Sequence, residues 1–497
     1  MNQKNSFLIL VFLIILLLMG FFYRVYGLNN NYSFWTDEEH VALFARAILE
    51  RGQPVLANSY STGAYQWLQY WLSAISAKTF GLNEFAIRFP SVIFGVLTIW
   101  AVYLLGKELF NKNVGLLSAF LITFSKIEIL WSRQARPYQA LQLFLILGAY
   151  FSYKLVKEKF NYFNLVGFLI SGILAFLFHG LGLVVIFDGI VFLTLVNFKK
   201  LAKILIPLVV FLLMMIVVFW QSIGRAINIF GKTNYLFYYR VFLTHNYLLL
   251  CLLAVFGGFL LFWRKNYREL ILFVIFLGVQ IIIASFFLVQ PFTRYFYPVF
   301  PFLILLSAFA LFEISQYLGS LIKRPKYLVL IIQYLILFAL VFPVVTLGHK
   351  FAFLPQPVYS LNADMQEIPE VDWKKVYNFV GKKLRENPES ILITNWNDLP
   401  VWYLGEGKLN YLLRKNNPFD QDPLSGSKLI HDLTGFNKIV QEEKKGLIII
   451  DSWDNYIPDG IREYVKKNLK KEFEIDRLYP VQPRLWPVEV YSWGNLK

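Results

Sequence analysis

Six positions in this 497-residue chain combine side chains able to move a proton or hold a phosphate with places where charge is costly. Asp37 and Glu38 stand in the run Phe34-Trp35-Thr36-Asp37-Glu38-Glu39-His40, Arg133 and Arg136 in Ser132-Arg133-Gln134-Ala135-Arg136-Pro137-Tyr138, His179 before Gly180, and Arg294 before Tyr295. A carboxylate can serve as a general base, and a guanidinium fork matches the oxygens of a phosphate. Taken singly, each has a plain structural account. Thr36 can cap a helix whose first turn carries acids, Arg136 before Pro137 can anchor a helix start, and His179 can satisfy a turn. Their joint occurrence argues for a site.

The elements that must position them are membrane spans. The chain is 57% hydrophobic and 16% charged, against about 25% charged in an average soluble protein, which excludes a soluble reading. A span needs about 20 apolar residues. Candidates run from Phe7 to Tyr26, Phe89 to Leu109, Val114 to Trp131, Tyr138 to Leu155, Phe163 to Phe178, Leu181 to Phe198, Ile204 to Trp220, Tyr247 to Trp263, Leu270 to Val289, Tyr295 to Tyr317 and Tyr327 to Leu347, about eleven in all. The first follows Lys4 and lacks a small-residue cleavage site, so it reads as an uncleaved span.

With Lys4 inside, the short cytoplasmic gaps hold Lys107 and Lys112, Lys154 with Lys157 and Lys159, Lys199 with Lys200 and Lys203, Arg264 with Lys265 and Arg268, and Lys323 with Arg324 and Lys326. That is the pattern of the positive-inside rule. Arg133, Arg136 and Arg294 depart from it, since they fall in short outward turns. Charges at the hydrocarbon boundary are costly unless paired, and such departures mark function. Alternation therefore predicts a multi-pass protein of the cytoplasmic (inner) membrane, with all six residues at its outer boundary.

The first outward loop, 28–88, carries two amphipathic stretches suited to the membrane surface, and with the spans it makes a module of residues 1–350. Composition changes after Pro355 and Pro357. Asp372 caps a helix on which Trp373, Val376, Tyr377 and Val380 recur at helical spacing. Ile391 to Thr394 and Leu447 to Ile450 read as buried strands, and Ile461 to Leu469 as a helix. Residues 355–497 are thus expected to form an α/β domain on the extracytoplasmic side. The net charge of +16 is spread as topology determinants, with no clustered basic face of the kind nucleic-acid binding requires. The single cysteine, Cys251, excludes an intrachain disulfide.

The stretch from Asp37 to about Phe151 resembles the GT-C glycosyltransferases, in particular bacterial families related to protein O-mannosyltransferases and to the lipid A aminoarabinose transferase. Trp35-Thr36-Asp37-Glu38 is similar to their first-loop acidic motif, and Tyr65-Gln66-Trp67-Leu68, Arg88-Phe89-Pro90-Ser91 and the Arg133 to Tyr138 run have counterparts at similar spacing. Phe178-His179-Gly180 and Arg294-Tyr295-Phe296-Tyr297-Pro298 resemble later landmarks. The resemblance implies a polytopic α-helical GT-C fold and transfer of a sugar from a polyprenyl-phosphate donor to a glycan, lipid or protein acceptor among membrane lipids. It implies that Asp37 is the catalytic carboxylate, with Glu38 as an orienting or second acid. Arg294 would bind the carrier phosphate, with Arg136, Tyr138, His179, Tyr295 and Tyr65 also in the substrate site. Tyr138 departs from the family, several members of which carry an acid there.

The inventory suits that chemistry. A glycosidase needs two carboxyl groups because its leaving group is a poor alkoxide, whereas a lipid phosphate leaves readily once its charge is compensated. No cofactor is demanded; a divalent metal stays open, although His40 and His179 lack a third histidine or a cysteine in reach and suit hydrogen bonding better. The rival readings are a lipid flippase or transporter, which would show repeated halves and midplane charges, and a non-catalytic assembly protein in which Asp37 is dispensable.

Overall fold

The computed structural model describes residues 3–30, 33–34, 37–56, 58–61, 66–197, 209, 233–321, 333, 335, 338–339, 342, 351–359, 370–478 and 485–494. Two compact units divide the chain. Met1–Tyr26, Ser91–Arg133 and Pro137–Gln356 form the first, and Gly27–Pro90, Gln134–Arg136 and Pro357–Lys497 form the second.

The first unit is helical. In chain order its described helices are α1 (Gln3–Val25), most of α4 (Glu84–Leu109), α5 (Lys112–Phe124), α6 (Lys126–Ser132), α7 (Tyr138–Lys157), α8 (Tyr162–Phe178), α9 (183–197), α10 (Leu236–Trp263), α11 (Tyr267–Phe286) and α12 (Phe300–Ser320). Among the described residues seven segments are long and apolar enough to cross a membrane, and Lys112–Phe124 and Tyr162–Phe178 are shorter apolar helices. The expected spans from Ile204 to Trp220 and from Tyr327 to Leu347 lie outside the described residues. Phe7, Phe12, Leu18, Val255 and Trp263 expose their side chains, as residues facing lipid do.

Two expected spans are reshaped. The one from Val114 to Trp131 is broken at Ser125, whose backbone is extended between α5 and α6. A helix end leaves carbonyls without intrahelical partners. Here the fully buried Arg24 of α1 lies 3.4 Å from the carbonyls of both Ile122 and Thr123, and 3.2 Å from that of Gly20. A cation at a helix C-terminus also complements its dipole. Second, α10 begins at Leu236 and kinks at Tyr247, whose backbone is non-helical; the expected start of that span is the kink. α4 and α5 cross at backbone contact. A Cβ on Gly115 would meet the carbonyl oxygen of Tyr103 at 2.7 Å, the small-residue packing that lets membrane helices approach closely.

The second unit is α/β. Its sheet has the order β3-β2-β1-β4-β6-β5, with β1 Ile391–Thr394, β2 Tyr411–Leu413, β3 Lys428–Ile430, β4 Gly446–Asp451, β5 Lys470–Ile475 and β6 Val488–Trp493. The first four named in that order are parallel, and β6 runs antiparallel to both neighbours. Strands buried on both faces read as continuous apolar runs, which is why Ile391-Leu392-Ile393 and Leu447-Ile448-Ile449-Ile450 stood out. Alternate residues pack to opposite sides. Leu392, Leu447 and Ile449 meet Val376, Tyr377 and Val380 of α13 (Trp373–Glu386). Ile393, Ile448 and Ile450 meet Phe436 of α15 (Leu433–Glu442) and Ile461 and Val465 of α16 (Ile461–Asn468). Asp372 caps α13, its side chain accepting from the Lys375 amide.

The first-loop helices α2 (Glu38–Arg51) and α3 (Trp67–Phe80) belong to this unit and share its core. Val41, Phe44, Ala45, Ile48, Tyr70 and Ala74 pack with Val401 and Trp402 of α14 (Asp398–Leu404). Arg46 of α2 fixes the pairing. It donates to the carbonyls of Val401 at 3.0 Å and Trp402 at 2.9 Å, the free acceptors of the α14 C-terminus, and lies over the Trp402 ring.

Candidate active site

Asp37 ends the loop that leads into α2, in the N-cap position. Its carboxylate lies 3.0 Å from Nη2 of Arg136, and Nη1 of the same guanidinium donates to the Asp37 carbonyl at 2.8 Å. Arg136 is almost buried, whereas the Asp37 side chain is 34% exposed. The result is a carboxylate oriented by a buried cation and still a third exposed. Such a group can accept a proton without searching for its geometry.

Glu38, the next residue, is fully buried and committed. Arg88 donates to it through Nε at 2.8 Å and Nη2 at 2.7 Å, a fork-to-fork pair, and the Ala135 amide donates to Oε1 at 2.7 Å. This pairing holds residues 134–136, and with them Arg136, against the start of α2. Glu84 extends the network, accepting from the Tyr403 hydroxyl at 2.7 Å and pairing with Lys374. Ser33 accepts from the Lys374 amide at 2.8 Å. The loop bearing Asp37 is therefore clamped to the start of α13. Neither Arg88 nor Glu84 stood among the expected site residues, although their four-residue spacing on one helix face was a readable signal.

Glu39 contributes differently. Both its carboxylate oxygens are buried without a hydrogen-bond partner. Burial pushes its carboxyl well above the usual range, and the neighbouring carboxylates Asp398, Glu38 and Asp37 add to the shift. Burial likewise raises Asp398, at the start of α14, to about 7. Burial lowers His40, so its imidazole stays neutral. Among the described residues no three His, Cys, Asp or Glu side chains are grouped to hold a metal ion.

Of the remaining expected residues, Tyr138, His179, Arg294 and Tyr295 fall in the first unit. Tyr138 opens α7, and its ring packs at 5.2 Å from His179, 5.2 Å from Trp131 and 6.4 Å from Tyr295. His179 Nδ1 accepts from the Leu181 amide at 3.1 Å, which leaves the proton on Nε2. The Arg294 guanidinium is half-buried and braced over the rings of Phe292, at 4.1 Å, and Tyr295, at 5.5 Å. Arg133 donates to the Tyr23 and Tyr26 carbonyls at 3.2 and 2.6 Å and so satisfies the end of α1. The structure thus brings Asp37, Glu38 and Arg136 together in one unit and Tyr138, His179 and Tyr295 in the other. Tyr65 lies outside the described residues.

One polar cluster of the first unit had gone unnoticed in the sequence. Glu128 of α6 is fully buried, with Oε2 at 2.9 Å from the Tyr297 hydroxyl and Oε1 accepting from Gln142 at 3.1 Å; Gln139 Oε1 is 2.6 Å from the same hydroxyl. An acid inside an apolar run was the available signal.

Residues 67–221 match the family described as dolichyl-phosphate-mannose-protein mannosyltransferase. An uncharacterized protein of Aquifex aeolicus is 30% identical over 171 residues, 34% of each chain. The putative mannosyltransferase YkcB of Bacillus subtilis is 24% identical over 181 residues, 35% of this chain and 24% of that one. The chain therefore spans about a third or less of the curated relatives it matches. Among solved structures, ArnT from Cupriavidus metallidurans bound to undecaprenyl phosphate is similar with a TM-score of 0.60 at 14% identity, over 99% of this chain and 98% of that one. The archaeal oligosaccharyltransferase AglB from Archaeoglobus fulgidus, in complex with an inhibitory peptide and a dolichol-phosphate, has a TM-score of 0.57 at 13% identity, over 91% of this chain and 70% of that one. The chain is a membrane protein with the GT-C fold, as its motifs implied.

Proposed function

We propose that this protein transfers a sugar from a polyprenyl-phosphate donor to an acceptor hydroxyl at the outer face of the cytoplasmic membrane. The observation that carries the reading is the partly exposed Asp37 carboxylate, fixed by the buried Arg136 through both its side chain and its main-chain carbonyl. In this reading Asp37 removes the acceptor proton as its oxygen attacks the anomeric carbon. The bond from that carbon to the carrier phosphate breaks, and Arg294 compensates the charge gathering on the leaving phosphate. Glu38, engaged by Arg88 and the Ala135 amide, orients the loop. Tyr138, His179 and Tyr295 line the donor side, and Tyr65 belongs to the same substrate site. The fold shared with ArnT and AglB supports the reading, since those proteins are seen with undecaprenyl phosphate and dolichol-phosphate.

The test is Asp37→Asn, which keeps size and hydrogen bonding but removes proton acceptance. Sugar transfer should fall by about two orders of magnitude or more while carrier-lipid binding survives. Near-normal transfer would remove the base and the reading with it. A flippase would move lipid without forming a glycosidic bond, so product analysis separates the two.

A further inference from the structure

The second unit contains a cavity of about 620 Å³, within the roughly 300–1,000 Å³ of ligand sites. It lies at the amino ends of the parallel strands: Ile391, Tyr411 and Lys428, the first residues of β1, β2 and β3, all line it. Asp398, by contrast, follows the carboxyl end of β1. Ile391, Val401, Leu409 and Leu424 give it an apolar floor, and its walls carry Asn58, Glu406, Asn410, Gln421, Ser425 and Lys428. Two glycines at positive φ, Gly407 and Gly426, let main chain approach the cavity. A Cβ on Gly426 would meet Asn58 Nδ2 at 2.6 Å, so this rim, where the first loop closes on the domain, requires glycine.

That lining selects a class of ligand. The Ser425 hydroxyl is engaged by Asp422 and Ser427, Asn410 Oδ1 by the Leu392 amide and Asn58 Nδ2 by the Leu424 carbonyl. The Gln421 carboxamide, the Asn410 amide nitrogen and the Asn58 amide oxygen supply the donors and acceptors that vicinal hydroxyls satisfy, and the half-buried Tyr411 ring offers a face for a pyranose. Glu406 is neutralised by Arg51, which leaves the Glu443 carboxylate against the Lys428 ammonium, and among the described residues no arginine lines the cavity. A lining without net positive charge disfavours a phosphate or other polyanion. We propose that this cavity binds hexose units of a neutral oligosaccharide, at a site separate from Asp37. α2 joins the two places. Asp37 precedes its first residue, while Arg51, its last, pairs at 2.5 Å with Glu406 of the cavity wall. Its 14 residues set the separation at about 21 Å, the reach of a short glycan chain. That such a chain presents its end to Asp37 as the acceptor rests on the glycosyl-transfer reading; the binding of sugar does not.

The experiment uses the full-length detergent-solubilised protein and fluorescent maltotetraose, cellotetraose and chitotetraose. At least one should bind saturably and slow amide exchange in 406–411 and 421–428. Gln421→Ala, a change at an exposed position, and Tyr411→Ala should each weaken binding about tenfold or more, whereas Asp37→Asn should leave it unchanged. The proposal is overturned if no probe saturates up to about 10 mM, if both cavity substitutions leave the affinity intact, or if inorganic phosphate displaces the sugar. Sugar binding that persists while Asp37→Asn also retains transfer would remove the proposed function and leave this site standing.

Discussion

Arg136 holds Asp37 at two points, its carboxylate at 3.0 Å and its main-chain carbonyl at 2.8 Å, so one side chain sets both the charge and the backbone of the proposed base. Arg136→Ala should lower transfer about 100-fold, because a displaced reacting group loses that order of rate. Arg136→Lys should recover only part of it, since an ammonium keeps the charge but cannot present two nitrogens in one plane. Steady-state transfer by both variants, with circular dichroism to confirm folding, checks the ranking. Equal rates for Ala and wild type would show that Asp37 needs no such support.

Glu38 and Arg88 are both buried, with side chains 1% and 2% exposed. Breaking such a pair leaves an unpaired buried charge and costs about 3–5 kcal/mol. Arg88→Met should therefore lower the melting temperature strongly, and Arg88→Met combined with Glu38→Gln should restore much of the loss. A double-mutant cycle by thermal unfolding measures the coupling. Additive effects would mean that the pair contributes nothing specific.

Asp398 and Glu39 make the second unit sensitive to pH in a defined direction. Burial raises Asp398 to about 7, from roughly 3.9 in an unfolded chain. Between those values the folded state binds more protons than the unfolded state, so stability falls as pH rises. It is greatest below about pH 4 and is lost progressively towards pH 7. Glu39, also raised, acts in the same sense. Hydrogen exchange of the β1 and α14 amides between pH 4.5 and 7.5, corrected for intrinsic rates, should show that decline, and Asp398→Asn should flatten it. A stability that climbs over the window would refute the assignment.

Long apolar runs and basic gaps made the spans legible, because lipid imposes one rule on every spanning helix. Asp372, Ile391 to Thr394 and Leu447 to Ile450 gave away the α/β segment through a cap and two continuous apolar strands. The short strand Tyr411–Leu413 and the charged edge strand Lys470–Ile475 carried no such signal, since their pairing is set by neighbours far along the chain. Packing of the first loop on α14 was likewise hidden. Phe44, Ile48, Val401 and Trp402 meet across more than 350 residues, and an amphipathic face does not name its partner. At the site, Asp37 and Arg136 were readable as charges in costly places. The engagement of Glu38 by Arg88 was not, because a buried ion pair appears in sequence only as two polar residues.

Tyr297 joins Glu128 and Gln139 through one hydroxyl. Tyr297→Phe keeps the stacking of this ring on Trp131 at 5.3 Å but leaves buried acceptors without their donor, which costs about 1–3 kcal/mol. Glu128→Gln combined with Tyr297→Phe should cost less than Tyr297→Phe alone, because a neutral amide supplies its own N–H. Thermal unfolding of the single and double variants tests this order.

Arg294 is the residue by which recognition of the carrier's phosphate can be separated from recognition of its lipid. Its guanidinium is braced over Phe292 and Tyr295, so its plane is fixed before any ligand arrives. In the proposed reaction it contacts the carrier phosphate in the ground state and more strongly as charge develops, and its removal should raise KM and lower kcat together. A charge-assisted hydrogen bond is worth about 1.5–3 kcal/mol, so Arg294→Ala should weaken polyprenyl-phosphate binding roughly 10- to 100-fold. Arg294→Lys should fall between, having lost the fork and the ring contact but kept the charge. Tyr295→Phe, which preserves the aromatic brace, should stay close to wild type, while Tyr295→Ala should weaken binding through a mobile Arg294. Equilibrium binding of fluorescent polyprenyl phosphate, with the corresponding polyprenol as control, reads this directly. The alcohol should bind all variants alike. If Arg294→Ala weakens the alcohol as much as the phosphate, the residue shapes the lipid groove instead, and the phosphate clamp must be sought among the other cations of the chain.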